Sequence, residues 1–337
     1  MYVKRTILFT ISVLLLATLL YSLDYDEFFR AASKLTFGSV ALLLILQAVI
    51  MLLNSLKWYV LLRRYAVSFV NVFTTSLIGS MVNNLTPAGV AGGEPIKAYV
   101  LSRIDKIKME KAFATVFVDL FVTILPVLLL DLLAIMLIFH YSFDLRIAWL
   151  LAIISLFLIA LIAASFSILL DREPSMKFFN RLLAIFARIS FLRRHVLRVE
   201  SRVDELFSSF HRGIKDNMMD VWTLSVALLI SSLVWVLSIV RIYLIFVLLG
   251  VSVNFDVILI VYTVMVTVGA LPLLPGAIGL WEWVGTGLFT LFGISLEVAA
   301  VIVFLDRILF FWAPIIAGFL ASLHVGLNVM RLVDRPE

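Results

Sequence analysis

Two long apolar stretches, 69–101 and 257–293, are each interrupted near the middle by proline and glycine. The first reads Asn83-Asn-Leu-Thr-Pro-Ala-Gly-Val-Ala-Gly-Gly-Glu94, with its break at Pro87, Gly89, Gly92 and Gly93. The second reads Leu271-Pro-Leu-Leu-Pro-Gly-Ala-Ile-Gly-Leu-Trp-Glu282, with its break at Pro272, Pro275, Gly276 and Gly279. Proline has no N–H to give and disrupts a helix, while glycine admits backbone shapes other residues resist. In a hydrocarbon environment such backbone survives only where protein or water satisfies it. Each stretch is therefore expected to be two half-helices meeting at a tip inside the protein.

The rest of the chain supplies that environment. Uninterrupted apolar runs lie at about 6–22, 38–62, 112–139, 147–170, 219–249 and 296–326, each near the ~20 residues that span a bilayer. Of the 337 residues, 63% are hydrophobic and 15% charged, far from the balance of a soluble domain. The expectation is an all-α polytopic membrane protein, residues 1–337 forming one integral membrane domain. No cleavage signal follows the run that begins at Thr6, so it reads as a retained first helix. There are no cysteines, and the four histidines are scattered without metal-ligand spacing, so neither metal nor cofactor is expected.

With the N-terminus placed in the cytoplasm, 21 of the 27 Lys and Arg fall on inner segments, as the positive-inside rule requires. Both termini are thus expected to be cytoplasmic, and the positive charge reflects topology and anionic lipid rather than nucleic acid. The loop 171–217 mixes arginines with apolar residues at spacings of three, four and seven. It reads as amphipathic helix on the inner surface, either a plain linker or a docking face for lipid or a partner.

The two broken stretches resemble each other. Pro87 to Glu94 and Pro275 to Glu282 have equal length, and Ile107 to Asp119 aligns with Ile294 to Asp306, pairing Glu110 with Glu297, Phe117 with Phe304, and Asp119 with Asp306. Repeats over 66–139 and 254–326 follow. By the topology above they are inverted, an arrangement in which breaks at mid-depth mark the binding site of alternating-access carriers.

Glu94 and Glu282 each lie near the start of a second half-helix, where free N–H groups and the dipole favour an anion. They read either as caps or as groups that bind a proton, a cation or a cationic head group, or that hold a basic residue. Lys97, one turn after Glu94, is placed to pair with it or to reach a lipid phosphate; Gly285 occupies the matching place in the second repeat. Asp306 and Arg307 read first as an Asp–Arg tie within the bundle and second as a relay. Asp131 and Arg241, each about two turns from the outer end of its helix, are candidates for a pair across the bundle. Lys57 and Trp58 read as interfacial anchors, and Asn54 as a bond between helices. No nucleotide loop, zinc-protease motif or nucleophile elbow is present.

The run Gly79-Ser-Met-Val-Asn-Asn-Leu-Thr-Pro-Ala-Gly-Val-Ala-Gly-Gly-Glu-Pro-Ile-Lys-Ala-Tyr, with Leu274-Pro-Gly-Ala-Ile-Gly-Leu-Trp-Glu and Asp306-Arg307, resembles the flippase-like membrane region of lysylphosphatidylglycerol synthetases, which also occurs as stand-alone proteins. The resemblance covers nearly the whole chain and implies translocation of a lipid. It singles out Asn84, Pro87, Glu94, Lys97, Pro275, Glu282, Asp306 and Arg307. In full-length synthetases a separate soluble domain makes the aminoacylated lipid, so aminoacyl transfer is not implied here. The expected function is a lipid flippase or transporter, not an enzyme, acting on phospholipid or polyprenyl-phosphate-linked lipid, with membrane lipids, a second copy or a lipid-modifying enzyme as partners. The alternatives are a secondary transporter of a small solute, an accessory subunit of a glycosyltransferase system, and an intramembrane lipid-phosphate enzyme, for which no clear nucleophile or acidic metal cluster is present.

Overall fold

The computed structural model describes residues 2–86, 92–140, 203–270 and 274–333, with parts of 146–160. Pro87, Gly89 and Pro272, most of the expected span 147–170, and the loop from 171 to 202 lie outside the described residues. The described chain is helical, with no strand. Its helices are α1 (Tyr2–Tyr21), α2 (Tyr25–Ala32), α3 (Phe37–Leu61), α4 (Phe69–Leu85), α5 (Glu94–Ile104), α6 (Met109–His140), α7 (Val203–Met218), α8 (Val221–Leu248), α9 (Phe255–Gly269), α10 (Leu280–Leu291), α11 (Leu296–Arg307) and α12 (Ala313–Val333). A π-helical turn, Ile308–Trp312, joins the last two.

Four continuous helical segments are long and apolar enough to span a bilayer: Phe37–Leu61, Met109–His140, Val221–Leu248 and Leu296–Gly326. Phe9–Tyr21 and Tyr25–Ala32 together are apolar enough for another, but meet at 89°. The chain is thus a multi-pass helical membrane protein. Many large apolar side chains lie exposed on its outside, among them Leu129, Leu229 and Phe319, as suits a surface whose solvent is lipid.

Local chemistry sets the ends. Asp24 accepts from the N–H groups of Asp26 and Glu27 to start α2, and Thr36 accepts from Ser39 to start α3; such caps satisfy N–H groups a helix cannot pair internally. Both predicted breaks are present. The first separates α4 from α5, and the second separates α9 from α10 with a single 3-10 turn between them, Pro275–Ala277. At 17 and 15 residues, α4 and α9 rise only about 25 and 22 Å, short of the ~30 Å hydrocarbon core.

Helices α4, α5 and α6 pack together, and so do α9, α10 and α11; α3 lies along α8, α12 along α4, and α9 along α6. Gly318 of α12 sits against the Leu77 carbonyl and Met81 of α4. The described end of the predicted amphipathic loop is α7, docked on the start of α6. Its Ile214 is buried, Phe210 meets the rings of Phe113 and Phe117, and Arg212 and Lys215 stay exposed.

Candidate functional site: two buried charge clusters at the helix breaks

Glu94 is the first residue of α5, followed by Pro95 at a position where the missing N–H costs nothing. The bend at Gly92 and Gly93 precedes it. Gly93 is needed for close approach: a Cβ there would lie 2.0 Å from the Gly79 carbonyl oxygen. Asn83, at the end of α4, clamps this turn. Its amide oxygen accepts from the Gly93 N–H at 2.5 Å, and its amide nitrogen donates to Glu94 Oε1 at 3.2 Å.

Lys97 sits one turn on. Its ammonium is 3.3 Å from Glu94 Oε2 and 2.6 Å from Asp119 Oδ2 of α6, and 4.5 Å from the ring centre of Trp58. Lys57 of α3 reaches the other oxygen of Asp119 at 3.2 Å and donates to Thr123 at 2.5 Å. Lys57 and Trp58, expected as interfacial anchors, are instead both buried, and Trp58 donates to Thr115. Asn54 does not cross to another helix but donates to Ile50 one turn back.

The second cluster uses the same charges differently. Gly276 and Ala277 hold φ of 56° and 51°, and Gly279, two residues further on, holds 82°; this left-handed region favours glycine. Glu282 lies in the first turn of α10; its Oε2 accepts from the Gly279 N–H at 2.7 Å and its Oε1 is 3.0 Å from Arg307 Nε. Arg307 also donates to the Gly276 carbonyl and stacks over Phe311, 4.0 Å from its ring centre. Its neighbour Asp306 faces another way. Arg241 of α8 donates to Asp306 Oδ1 from Nε and Nη2, and from Nη1 to Gln47. Asp306 and Arg307 are thus not paired with each other, and each ties α11 to a different helix.

Arg241 does not reach Asp131, contrary to the pairing expected from their depths. Asp131 accepts instead from Thr267 of α9 at 2.6 Å and from Ser155 at 3.0 Å. Depth along a helix was matched, but helix rotation points Arg241 toward α11.

The two breaks touch. Asn84 donates to the Phe311 carbonyl at 3.1 Å, and a Cβ on Gly276 would lie 2.8 Å from the Asn84 carbonyl oxygen and 2.7 Å from the Phe311 ring. Phe311 lies in the π-helical turn, just before Pro314, which has no N–H for the carbonyl four residues back. π-Turns inside helices often lie at functional sites, and this one had no separate signal in the sequence beyond that proline.

Between the second break and the π-turn is a cavity of about 130 Å³ lined by Leu16, Ile278, Glu282, Phe304, Arg307, Ile308, Phe311 and Trp312. Glu282 and Arg307 are buried, whereas Ile308 and Trp312 are 52% and 48% exposed. The cavity therefore runs from an ion pair to the exposed apolar surface of the helices. Pro275 opens the turn that borders it, and Asn84 is behind Phe311. Of the residues singled out by sequence, Glu282 and Arg307 line this cavity, Glu94 and Lys97 share the other cluster, and Asp131 belongs to neither. Asn83, Thr123 and Gln47 were missed, and Lys57 was assigned to the membrane interface; the Asn83-Asn84 doublet was the available signal for the first.

Residues 6–318 match the family described as lysylphosphatidylglycerol synthase TM region. A UPF0104 membrane protein of Methanothermobacter thermautotrophicus is 30% identical, over 98% of this chain and 99% of that one. UPF0104 membrane proteins of Pyrococcus horikoshii and Methanocaldococcus jannaschii are 28% and 26% identical, over 94% and 96% of this chain and 95% of each relative. The paired motifs around the breaks, the helical membrane fold and the span of the match agree, and the chain belongs to the lysylphosphatidylglycerol synthase transmembrane-region family.

Proposed function

We propose that this protein is a non-catalytic carrier that moves a phosphate-bearing lipid across the bilayer, with the head group entering the cavity at Arg307 and the acyl chains remaining in lipid. The observation that carries this is the course of the cavity, from the buried Glu282–Arg307 pair to the exposed Ile308 and Trp312. A guanidinium has five N–H donors and suits phosphate oxygens. Arg307 uses Nε toward Glu282 and Nη2 toward Gly276, leaving Nη1 without a hydrogen bond among the described residues. Glu282 fixes its orientation.

At about 130 Å³ the cavity is small beside the ~300–1,000 Å³ that encloses a drug-sized ligand. That suits a head-group fragment with its tails outside. A solute carrier would instead need a chamber closed to lipid. The inverted-repeat reading supports alternating access: α4–α5–α6 and α9–α10–α11 carry corresponding Glu and Asp positions, and the breaks come together at Asn84 and Gly276.

The test is transbilayer movement of labelled anionic lipid in proteoliposomes, with head-group variants alongside. Arg307→Gln should slow movement at least tenfold while the protein still inserts. Arg307→Lys should recover only part of it, because an ammonium keeps the charge but not the planar fork. Movement by Arg307→Gln at the wild-type rate would overturn the assignment of the head group to this cavity.

A further inference from the structure

The two clusters contain equal charge, two carboxylates and two cations each, yet they hold their glutamates unequally. Glu282 has a backbone N–H at 2.7 Å and a guanidinium nitrogen at 3.0 Å. Glu94 has a neutral amide at 3.2 Å and an ammonium at 3.3 Å, and that ammonium is closer, at 2.6 Å, to Asp119. The cations differ in kind as well. Arg241 and Arg307 serve the second half, where Lys57 and Lys97 serve the first. Arginine keeps its proton in proteins and binds carboxylates as a fork; lysine is a point charge that a second carboxylate can draw away.

We propose that Glu94 is a reversible proton-binding site that gives the protein a proton-dependent step. A proton from water adds to Glu94 Oε2, one O–H bond forms, and the contact with Lys97 breaks. The ammonium stays on Asp119, and the cluster's net charge rises from zero to plus one. Among the described residues Glu94 is then held by Asn83 alone, so the start of α5 follows α4 rather than the cluster shared with α6. The charged and titratable groups facing this site among the described residues are Lys97 from α5, Asp119 from α6 and, beyond Asp119, Lys57 from α3; Asn83 of α4 and Trp58 of α3 complete it.

Trp58 supplies a local readout, because the Lys97 ammonium lies over its ring. The full chain in lipid nanodiscs is titrated from alkaline to acid pH, and Trp58 emission is isolated by subtracting the Trp58→Phe protein. A single transition is expected in wild type. It should be absent in Glu94→Gln, retained in Glu282→Gln, and moved to lower pH in Lys97→Arg, since a guanidinium holds both carboxylates more firmly. No transition, the same transition in Glu94→Gln, or an unmoved one in Lys97→Arg would overturn the proposal.

The link to transport rests on the carrier reading, and a separate measurement tests it. An imposed pH gradient should change lipid movement by wild type several-fold and leave Glu94→Gln unresponsive. A Trp58 transition with no lipid movement by wild type would remove the carrier reading and leave the proton site standing. Equal gradient responses in wild type and Glu94→Gln would overturn the proton-dependent step.

Discussion

Arg241 donates to a single oxygen of Asp306 from two nitrogens, at 2.9 and 2.6 Å, joining α8 to α11 where both residues are almost wholly buried. The counterpart in the first half is Lys57 of α3 with Asp119 of α6. In each half a long helix that precedes the broken hairpin sends a cation to the aspartate that follows it. Both ties join the helix before a broken pair to the helix that follows its second half-helix.

Breaking such a pair on one side leaves a bare charge in the interior. Arg241→Met should destabilise the protein by about 3–5 kcal/mol, whereas replacing both partners with apolar groups often costs little. Arg241→Met with Asp306→Leu is expected to be more stable than Arg241→Met alone. Thermal unfolding in detergent checks this, and a double variant no better than the single would show that the pair is not the reason for the loss.

The separation of Asp131 from Arg241 gives a second expectation. Asp131 is held by Thr267 and Ser155, and shares no partner with Arg241 among the described residues. Asp131→Leu should leave the Thr267 hydroxyl unpaired and cost about 1–3 kcal/mol, while Asp131→Asn, which still accepts one bond, costs less. Combined with Arg241→Met, the effects should add to within about 0.5 kcal/mol. A larger coupling in a double-mutant cycle would contradict the pairing described for both residues.

The helices and breaks were legible because their causes are local. Apolar runs need hydrocarbon, and Pro275 and Gly276 act on their own backbone. The glutamates near the half-helix starts were legible for the same reason. Partners were not. Asp131 and Arg241 share a depth, but depth does not set the direction a side chain leaves its helix. Lys57 lies near a helix end and so read as an anchor, yet α3 turns that face toward α6. Glu282 found its cation in Arg307 of α11 because Gly285 occupies the place where Lys97 serves Glu94, and no spacing rule carries that substitution across helices.

Glycine substitutions separate close packing from tolerance. A Cβ at Gly93 would meet the Gly79 carbonyl oxygen at 2.0 Å, whereas one at Gly287 meets nothing within 4 Å. Gly93→Ala must push α5 from α4 and carry Glu94 away from Asn83. It is expected to lower thermal stability and to abolish the pH response of Trp58. Gly287→Ala, inside α10, is expected to be neutral or to gain up to about 1 kcal/mol from helix propensity. Equal stability of the two variants would mean that the α4–α5 contact yields without cost.

A last expectation concerns the membrane edge, where Asp220 caps α8 through the Thr223 N–H and meets Arg63 at 2.6 Å and Arg64 at 3.2 Å. Burial pushes this carboxyl up, but the hydrogen bonds from Thr223, Arg63 and Arg64 outweigh it and hold Asp220 at about 2, against an ordinary value of 3.8. A carboxyl lowered by folding stabilises the protein above its unfolded value and loses that contribution as pH falls through its folded one. The tie should thus be constant through neutral and mildly acid pH and weaken only between about 4 and 2. Asp220→Asn should lower the melting temperature by a similar amount at neutral and mildly acid pH, with the gap from wild type closing in strong acid. The loss should be modest and smaller in high salt, because both arginines are nearly half exposed. A gap that already closes near neutral pH would mean that another group, and not Asp220, responds.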